Sequence, residues 1–368
     1  MTGKESIREK LLSLLAHQPC HIIDGMIKIT KPARPLSIER SSNSSNPLGT
    51  LNVLPLELLH SILEMLDLQT LSSITRTCLR GTAIVKSLPA YRDLLRHAPR
   101  ALAALGMTRL LRCHSANALY VTLLSAKCAS CSEYGAFLFL PTCERCCYEC
   151  LWRNQSLWVI SMSEAQRCFD LSPASVRRLP TLHSVPGQYY VRYSISRKRQ
   201  LRLVSVRAAK ELAIKENKSA SYLAQDLENR RTAGLSLDEY YTQRWLQAAP
   251  LQSPETELTT RSTQANVPND KFCGMASILF PSLSIGDRVE SGLWCLGCEE
   301  TYREWSPHKP NELVSQLVAT GSDTEETLYA LQHVARTETV FFEHILHCPG
   351  ARILVPDLEE ELRRMMHA

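Results

Sequence analysis

Leu54-Pro55-Leu56-Glu57-Leu58-Leu59-His60-Ser61-Ile62-Leu63-Glu64-Met65-Leu66 decides how the first half of the chain folds. Pro55 suits the first position of a helix, where its missing amide hydrogen costs nothing. Glu57 then falls in the first turn, where a carboxylate complements the helix dipole. Leu58, Leu59, Ile62, Leu63 and Leu66 recur at three- and four-residue spacing and form a wide apolar stripe. Asp67 is placed to cap a second helix running from Leu68 through Leu71, Ile74, Cys78 and Leu79, and Gly81 permits the turn that ends it. A third segment holds Ile84, Val85, Leu88, Pro89 and Tyr91. Three short helices cannot bury this many leucines among themselves. Part of the apolar surface must meet the rest of the chain or another protein.

Outward from that segment, 368 residues favour two or three globular units. Hydrophobic residues at 44% and charged residues at 21% supply an ordinary core. The net charge of +5, from 42 basic and 37 acidic residues, is too mild to argue for nucleic acid or an anionic membrane. No apolar stretch approaches the roughly 20 residues of a membrane-spanning helix. The first fifteen residues mix Lys4, Glu5, Arg8, Glu9 and Lys10 with leucines, a charged amphipathic pattern without the apolar centre of a signal peptide. A cytoplasmic and/or nuclear location is expected, where thiols stay reduced. Fourteen cysteines in that setting read as metal ligands before disulfides.

The expected fold class is α+β. Residues 1–48 read as an N-terminal helix and a flexible linker, and 49–106 as a three-helix domain. Residues 107–240 read as a zinc-binding α+β region with short strands. Within it, β-type runs at 189–196 and 201–206 flank Arg197-Lys198-Arg199-Gln200 as a hairpin, and a helix follows from 208 to 216. Residues 241–270 read as a polar loop or disordered insertion. Residues 271–368 read as a second Cys/His region ending in a charged helix from 356.

Six cysteines lie within residues 128–150. Cys128-x-x-Cys131 holds two corners of a tetrahedral zinc site, and two overlapping pairs compete for the other two. A strand is expected over 134–141, and Cys147 and Cys150 precede Leu151-Trp152 at a helix start, where amides and positive potential suit thiolates. That favours Cys128, Cys131, Cys147 and Cys150, with Cys143 and Cys146 as the rival pair. Four thiolates leave no open position for water, so the site reads as structural. No cross-braced ordering of eight ligands is visible, which counts against a RING-type ligase.

Cys295-Leu296-Gly297-Cys298 is a further knuckle, with Gly297 supplying the turn. Its partners are sought in Phe341-Phe342-Glu343-His344-Ile345-Leu346-His347-Cys348. On one helix, His344 and Cys348 stand four apart on the same face, while His347 points about a hundred degrees away. Pro349-Gly350 would end that helix. Two structural zinc ions are expected.

The order Leu-Pro-x-Glu-Leu-Leu-x-x-Ile-Leu-x-x-Leu-Asp-Leu-x-x-Leu from Leu54 to Leu71, followed by Thr75-Arg76-Thr77-Cys78, resembles the F-box. The resemblance covers residues 49–95. It implies docking onto a Skp-type adaptor, mainly through the Leu-Pro turn and the first helices, and through that adaptor onto a cullin ubiquitin ligase. Carried over, Leu54, Pro55, Leu58, Ile62, Leu63 and Leu71 would be interface or near-interface residues. Beyond the F-box stand Arg145-Cys146-Cys147-x-x-Cys150-Leu151, Val185-Pro186-Gly187-Gln188-Tyr189, Gly292-Leu293-Trp294-Cys295-x-x-Cys298 and His344-x-x-x-Cys348. This arrangement resembles F-box proteins found in large numbers in filamentous fungi. The resemblance implies a substrate-selecting subunit with an unknown protein target, not a catalyst. No phosphate-cradling glycine loop, Gly-x-Ser-x-Gly elbow or His-Glu-x-x-His helix is present. The alternative is a zinc-dependent nucleic-acid-binding or regulatory interaction protein. Its basic candidate surface, Arg197-Lys198-Arg199 with Arg202, reads more simply as a solvated hairpin turn, so nucleic acid is not expected.

Overall fold

The computed structural model describes residues 3–32, 49–191, 193–216, 272–284, 288–306 and 323–367, together with 314 and 318. The expected linker over 33–48 and the polar insertion over 241–270 lie outside the described residues.

Helix α1 (Gly3–Leu15) is followed by strand β1 (Ala16–His17) and a single turn, α2 (Cys20–Ile23). The leucine-rich stretch forms α3 (Leu56–Glu64) and α4 (Leu68–Ile74). Pro55 is the N-cap of α3 and Leu56 its first residue, because the extended ψ of 149° at Pro55 keeps it just outside the helix. Asp67 caps α4 as expected, its carboxylate accepting the Thr70 amide at 2.9 Å. Helix α4 ends at Ile74, short of Cys78. Cys78 instead caps α5 (Leu79–Ser87), its Sγ accepting the Gly81 amide at 3.2 Å. Gly81 is therefore inside a helix and terminates nothing. A Cβ there would meet the Ile74 carbonyl oxygen at 2.9 Å, so glycine is needed for the close approach of α4 and α5.

Pro89 and Pro99 open α6 (Pro89–His97) and α7 (Pro99–Met107), each at a position without a helical amide partner. The helical run continues past residue 106 to α8 (Ala116–Leu124), which packs on α6. Helices of this unit share one core with the cysteine-rich segment that follows. The expected boundary after 106 thus crosses a continuous core.

Strand β2 (Phe137–Phe139) is buried throughout and lies between β3 (Glu144–Cys146) and β9 (Ser277–Leu279), with Phe137 opposite both Cys146 and Leu279. Arg145 locks this sheet to α8. Its buried guanidinium donates to the carbonyls of Gly135, Phe280, Pro281 and Thr122. Burial lowers its pKa to about 10. Around this sheet stand α9 (Tyr148–Arg153), β4 (Val159–Ser161), α10 (Met162–Phe169) and α11 (Pro173–Val176).

The run over 189–196 folds back on itself, contrary to the hairpin expected around 197–200. Strand β6 (Gly187–Val191) pairs with β7 (Tyr193–Arg197), with Tyr189 opposite Ile195. Strand β8 (Arg202–Ser205) pairs elsewhere, between β4 and β5 (Leu182–His183). Its Leu203 and Val204 are both buried, as a middle strand requires. Helix α12 (Val206–Lys215) closes a small second core around Trp158, Phe169 and Val204.

Strands β10 (Ser282–Ser284) and β11 (Arg288–Glu290) form a ribbon, and β12 (Trp294–Cys295) leads into α13 (Leu296–Glu304). The end of the chain is helical: α14 (Thr324–Gln332), α15 (Glu338–Ile345), α16 (Pro349–Leu354) and α17 (Leu358–His367). The N-terminal segment belongs with these elements. β1 pairs with β12, Ala16 opposite Cys295, while Leu11 and Leu15 are buried in one core with Phe341, Ile345 and Leu362. Lys10 and Glu361 pair at 2.7 Å between α1 and α17. The fold is mixed α+β, and among the described residues no helix is long and apolar enough to cross a membrane.

Candidate metal centres and an exposed helical face

The first centre is built by a knuckle and a helix start. The Cys128 amide donates to the Glu133 carbonyl at 2.6 Å, and Ser132 adopts a φ of 60° to close the loop. Asn154, just past α9, donates to Ser130 Oγ at 2.8 Å and ties the knuckle to the helix. Cys147 is the N-cap of α9, its Sγ accepting the Cys150 amide at 3.4 Å. The sulfurs of Cys128, Cys131, Cys147 and Cys150 all lie within 4.8 Å of one another, Cys131 and Cys147 at 3.5 Å.

The rival pair takes no part in this group. Cys143 is buried with a left-handed φ of 56°, and its carbonyl accepts the Thr122 hydroxyl at 2.9 Å. Burial pushes its thiol well above the ordinary range. Cys146, on β3, sits with its Sγ 3.7 Å from the Phe137 carbonyl oxygen.

At the second centre, Cys295, Cys298, His344 and Cys348 bring their ligand atoms within the same 4.8 Å. Cys298 Sγ is 3.1 Å from His344 Nε2, and Cys348 Sγ is 3.8 Å from Cys295 and 3.9 Å from Cys298. The four residues meet, but by another route than one helical face. His344 is in the last turn of α15, whereas Cys348 lies beyond that helix as the N-cap of α16, which Pro349 opens and does not terminate. Gly297 is likewise no turn residue. It sits in the first turn of α13, where a Cβ would stand 2.3 Å from the Ala351 amide nitrogen, and a Cβ on Gly350 would stand 1.9 Å from the Gly297 oxygen. These two glycines let α13 and α16 touch backbone to backbone. Thr301 seals the contact, donating to the Gly297 carbonyl at 2.8 Å and accepting the Gly350 amide at 3.0 Å.

The thiols within each cluster are held at unequal acidities, with Cys128 and Cys131 lowered in the first and Cys348 in the second. Hydrogen bonds from Cys131, Cys147 and Cys150 hold the Cys128 thiol far below its ordinary value, while hydrogen bonding to Cys128 and the other thiols raises Cys147. Cys348 is held down in the same way by Cys295 and Cys298, and Cys298 is raised. A dication at the centre of such a group replaces the shared protons and lets every sulfur be anionic. Sulfur and imidazole nitrogen in sets of four match the donors and number of a closed tetrahedral zinc site.

The leucine-rich stretch presents two neighbouring stripes. Leu59, Leu63, Leu68 and Leu71 are buried in the largest core. Leu63 and Leu71, expected at or near an interface, therefore serve this core and offer almost no surface to a partner. Leu54 is half-buried against that core, and Pro55 is exposed. Leu58 and Ile62, one turn apart on α3, and Met65 at its C-cap are 53%, 45% and 78% exposed, and Val53 before the helix is 86% exposed. Leu51 and Leu56 are exposed as well.

One cluster has no spacing signal in the sequence. His333, at the end of α14, is buried, with its Nε2 3.1 Å from His21 Nε2 of α2. Its ring packs against those of Tyr148 and Tyr329, at centroid distances of 4.8 and 4.4 Å. Burial holds its pKa down to about 3, and His21 adds to the effect. The two histidines are 312 residues apart, and only the fold brings them together. A scan against protein-family models, a search of curated proteins and a search of solved structures each return no match.

Proposed function

We propose that the chain is a substrate-receptor subunit of a Skp–cullin-type ubiquitin ligase, and that two structural zinc ions hold the region presented to its target. The observation that carries this reading is the apolar row on α3. Val53, Leu58, Ile62 and Met65 are large, apolar and open to solvent within thirteen residues, beside a stripe that is fully buried. Exposed apolar patches of this kind mark protein contacts. Helix-presented apolar anchors are a standard way for one protein to seat in the groove of another. The F-box resemblance of the same residues names the adaptor as occupant. Both metal centres supply four protein ligands and leave no open coordination position, so they support scaffolding and not catalysis.

The test is co-purification of the full chain with a Skp-type adaptor. Each apolar anchor is worth about 2 kcal/mol when buried, so Leu58→Asp with Ile62→Asp should weaken binding by at least about a thousandfold. The variant should keep its helical signal, because neither side chain serves the core. Absence of binding by the intact, folded protein would overturn the proposal.

A further inference from the structure

The two centres differ in what their sulfurs meet. At the second, Cys295, Cys298 and Cys348 are all buried, and the partly exposed member is His344, an imidazole that forms no disulfide. At the first, Cys128 and Cys150 are buried but Cys131 and Cys147 are partly exposed. These two are also closely spaced, at 3.5 Å between sulfurs, against 3.8 and 3.9 Å for the buried pairs of the second centre. Reactivity of a thiolate toward peroxide follows charge and access, and a resolving cysteine nearby converts the product to a disulfide.

From this we infer that the first centre is an oxidation-sensitive latch, in which a hydroperoxide links Cys131 to Cys147 and releases the first metal ion while the second is retained. The inference rests on the zinc reading above. In the chemistry, the Cys131 thiolate attacks a peroxide oxygen; the O–O bond breaks, leaving a sulfenic acid and expelling hydroxide or alkoxide. The Cys147 thiolate then attacks the sulfenic sulfur, the S–S bond forms and the S–O bond breaks, releasing hydroxide. Two electrons pass from the sulfurs to the peroxide. Two of the four anionic ligands are gone, and Cys128 with Cys150 alone cannot hold a tetrahedral zinc. The position gives the event a structural reach. Cys147 caps α9, and the next residue, Tyr148, packs on His333 of the C-terminal region.

The experiment treats the metal-loaded full chain with hydrogen peroxide in the presence of a chromophoric zinc chelator and maps disulfides by peptide mass spectrometry. Metal content should fall from about two ions per chain to about one, with a Cys131–Cys147 disulfide, and a thiol reductant with added zinc should restore it. Simultaneous loss of both ions, earlier loss from the second centre, a disulfide through other cysteines, or resistance to peroxide would each overturn the inference. Cys131→His keeps a ligand atom but cannot form the disulfide, and should slow release of the first ion by at least about tenfold. If that variant loads only one ion, the disulfide map of the unsubstituted chain decides. A chain with no metal before peroxide is added would overturn the zinc reading itself, a failure distinct from that of the latch.

Discussion

The two candidate centres reach similar donor sets by opposite routes. The first gathers its four cysteines from residues 128–150, on one knuckle and the helix start beside it. It is embedded in the largest core, and the adjacent sheet is fastened independently by Arg145. The second joins residues up to 53 positions apart, from the starts of α13 and α16 and the end of α15. Its sulfurs are part of a small core whose other members come from α1, α15, α16 and α17. A centre embedded in other packing tunes stability, whereas a centre that is itself much of the core decides whether the region folds.

The strongest test of that difference is Cys348→Ser. Structural zinc contributes on the order of 10 kcal/mol in small domains, and three of the four ligands are themselves buried members of the small core that joins these helices. The variant should lose one metal ion, and because α1 docks on the same core, protease should cut near both ends of the chain. Metal analysis and limited proteolysis check it. Retention of two ions and an unchanged cleavage pattern would show that the second centre is no centre.

Cys147→Ser should likewise lose one ion, but its effect on structure should be smaller. The shared core and the Arg145 network remain, so the chain should stay folded with a melting temperature lowered by several degrees or more. Cys143→Ser should keep both ions, since Cys143 is not among the four clustered sulfurs and contributes only a backbone carbonyl to Thr122. If Cys143→Ser loses metal and Cys147→Ser does not, the ligand assignment is reversed.

The same contrast explains how much of each centre is legible in the sequence. Cys-x-x-Cys spacing and a helix start are local, so the first ligand set could be read from residues 128–150 alone. Spacing points to the second set too, but it implies a different local structure, since nothing in His344-x-x-x-Cys348 says that one helix stops and another begins between them. In sequence, glycine signals a turn, and Gly81 and Gly297 carry that signal. Both serve close helix contacts that depend on a distant partner. The α3 leucines showed a wide stripe without its division. Leu58 and Leu59 are adjacent in the sequence, yet one faces solvent and the other the core. Pairing of β2 with β9 and of β1 with β12 depends on long-range contacts that periodicity cannot report.

The smallest expected effect probes the junction between the two centres. His333 touches Tyr148 from the helix of the first centre and Tyr329 from α14, which packs on α13 of the second, and the groups facing it are His21 and, beyond that, His17 and Glu299. Its folded pKa of about 3 lies below the ordinary 6.5, so the unfolded chain binds more protons as pH falls below 6.5. Stability is therefore lost on acidification through that window. Between pH 7.5 and 5.5 the loss from this one group is about 1 kcal/mol, and His333→Gln should remove that share of the slope. Urea unfolding at the two pH values measures it, with metal content checked at each because protonated thiolates also release zinc. An unchanged slope in the variant would mean that His333 is solvated in the folded state and that the junction is open. A reduced slope with both ions still bound would show a dry contact joining two centres that otherwise fold by different means.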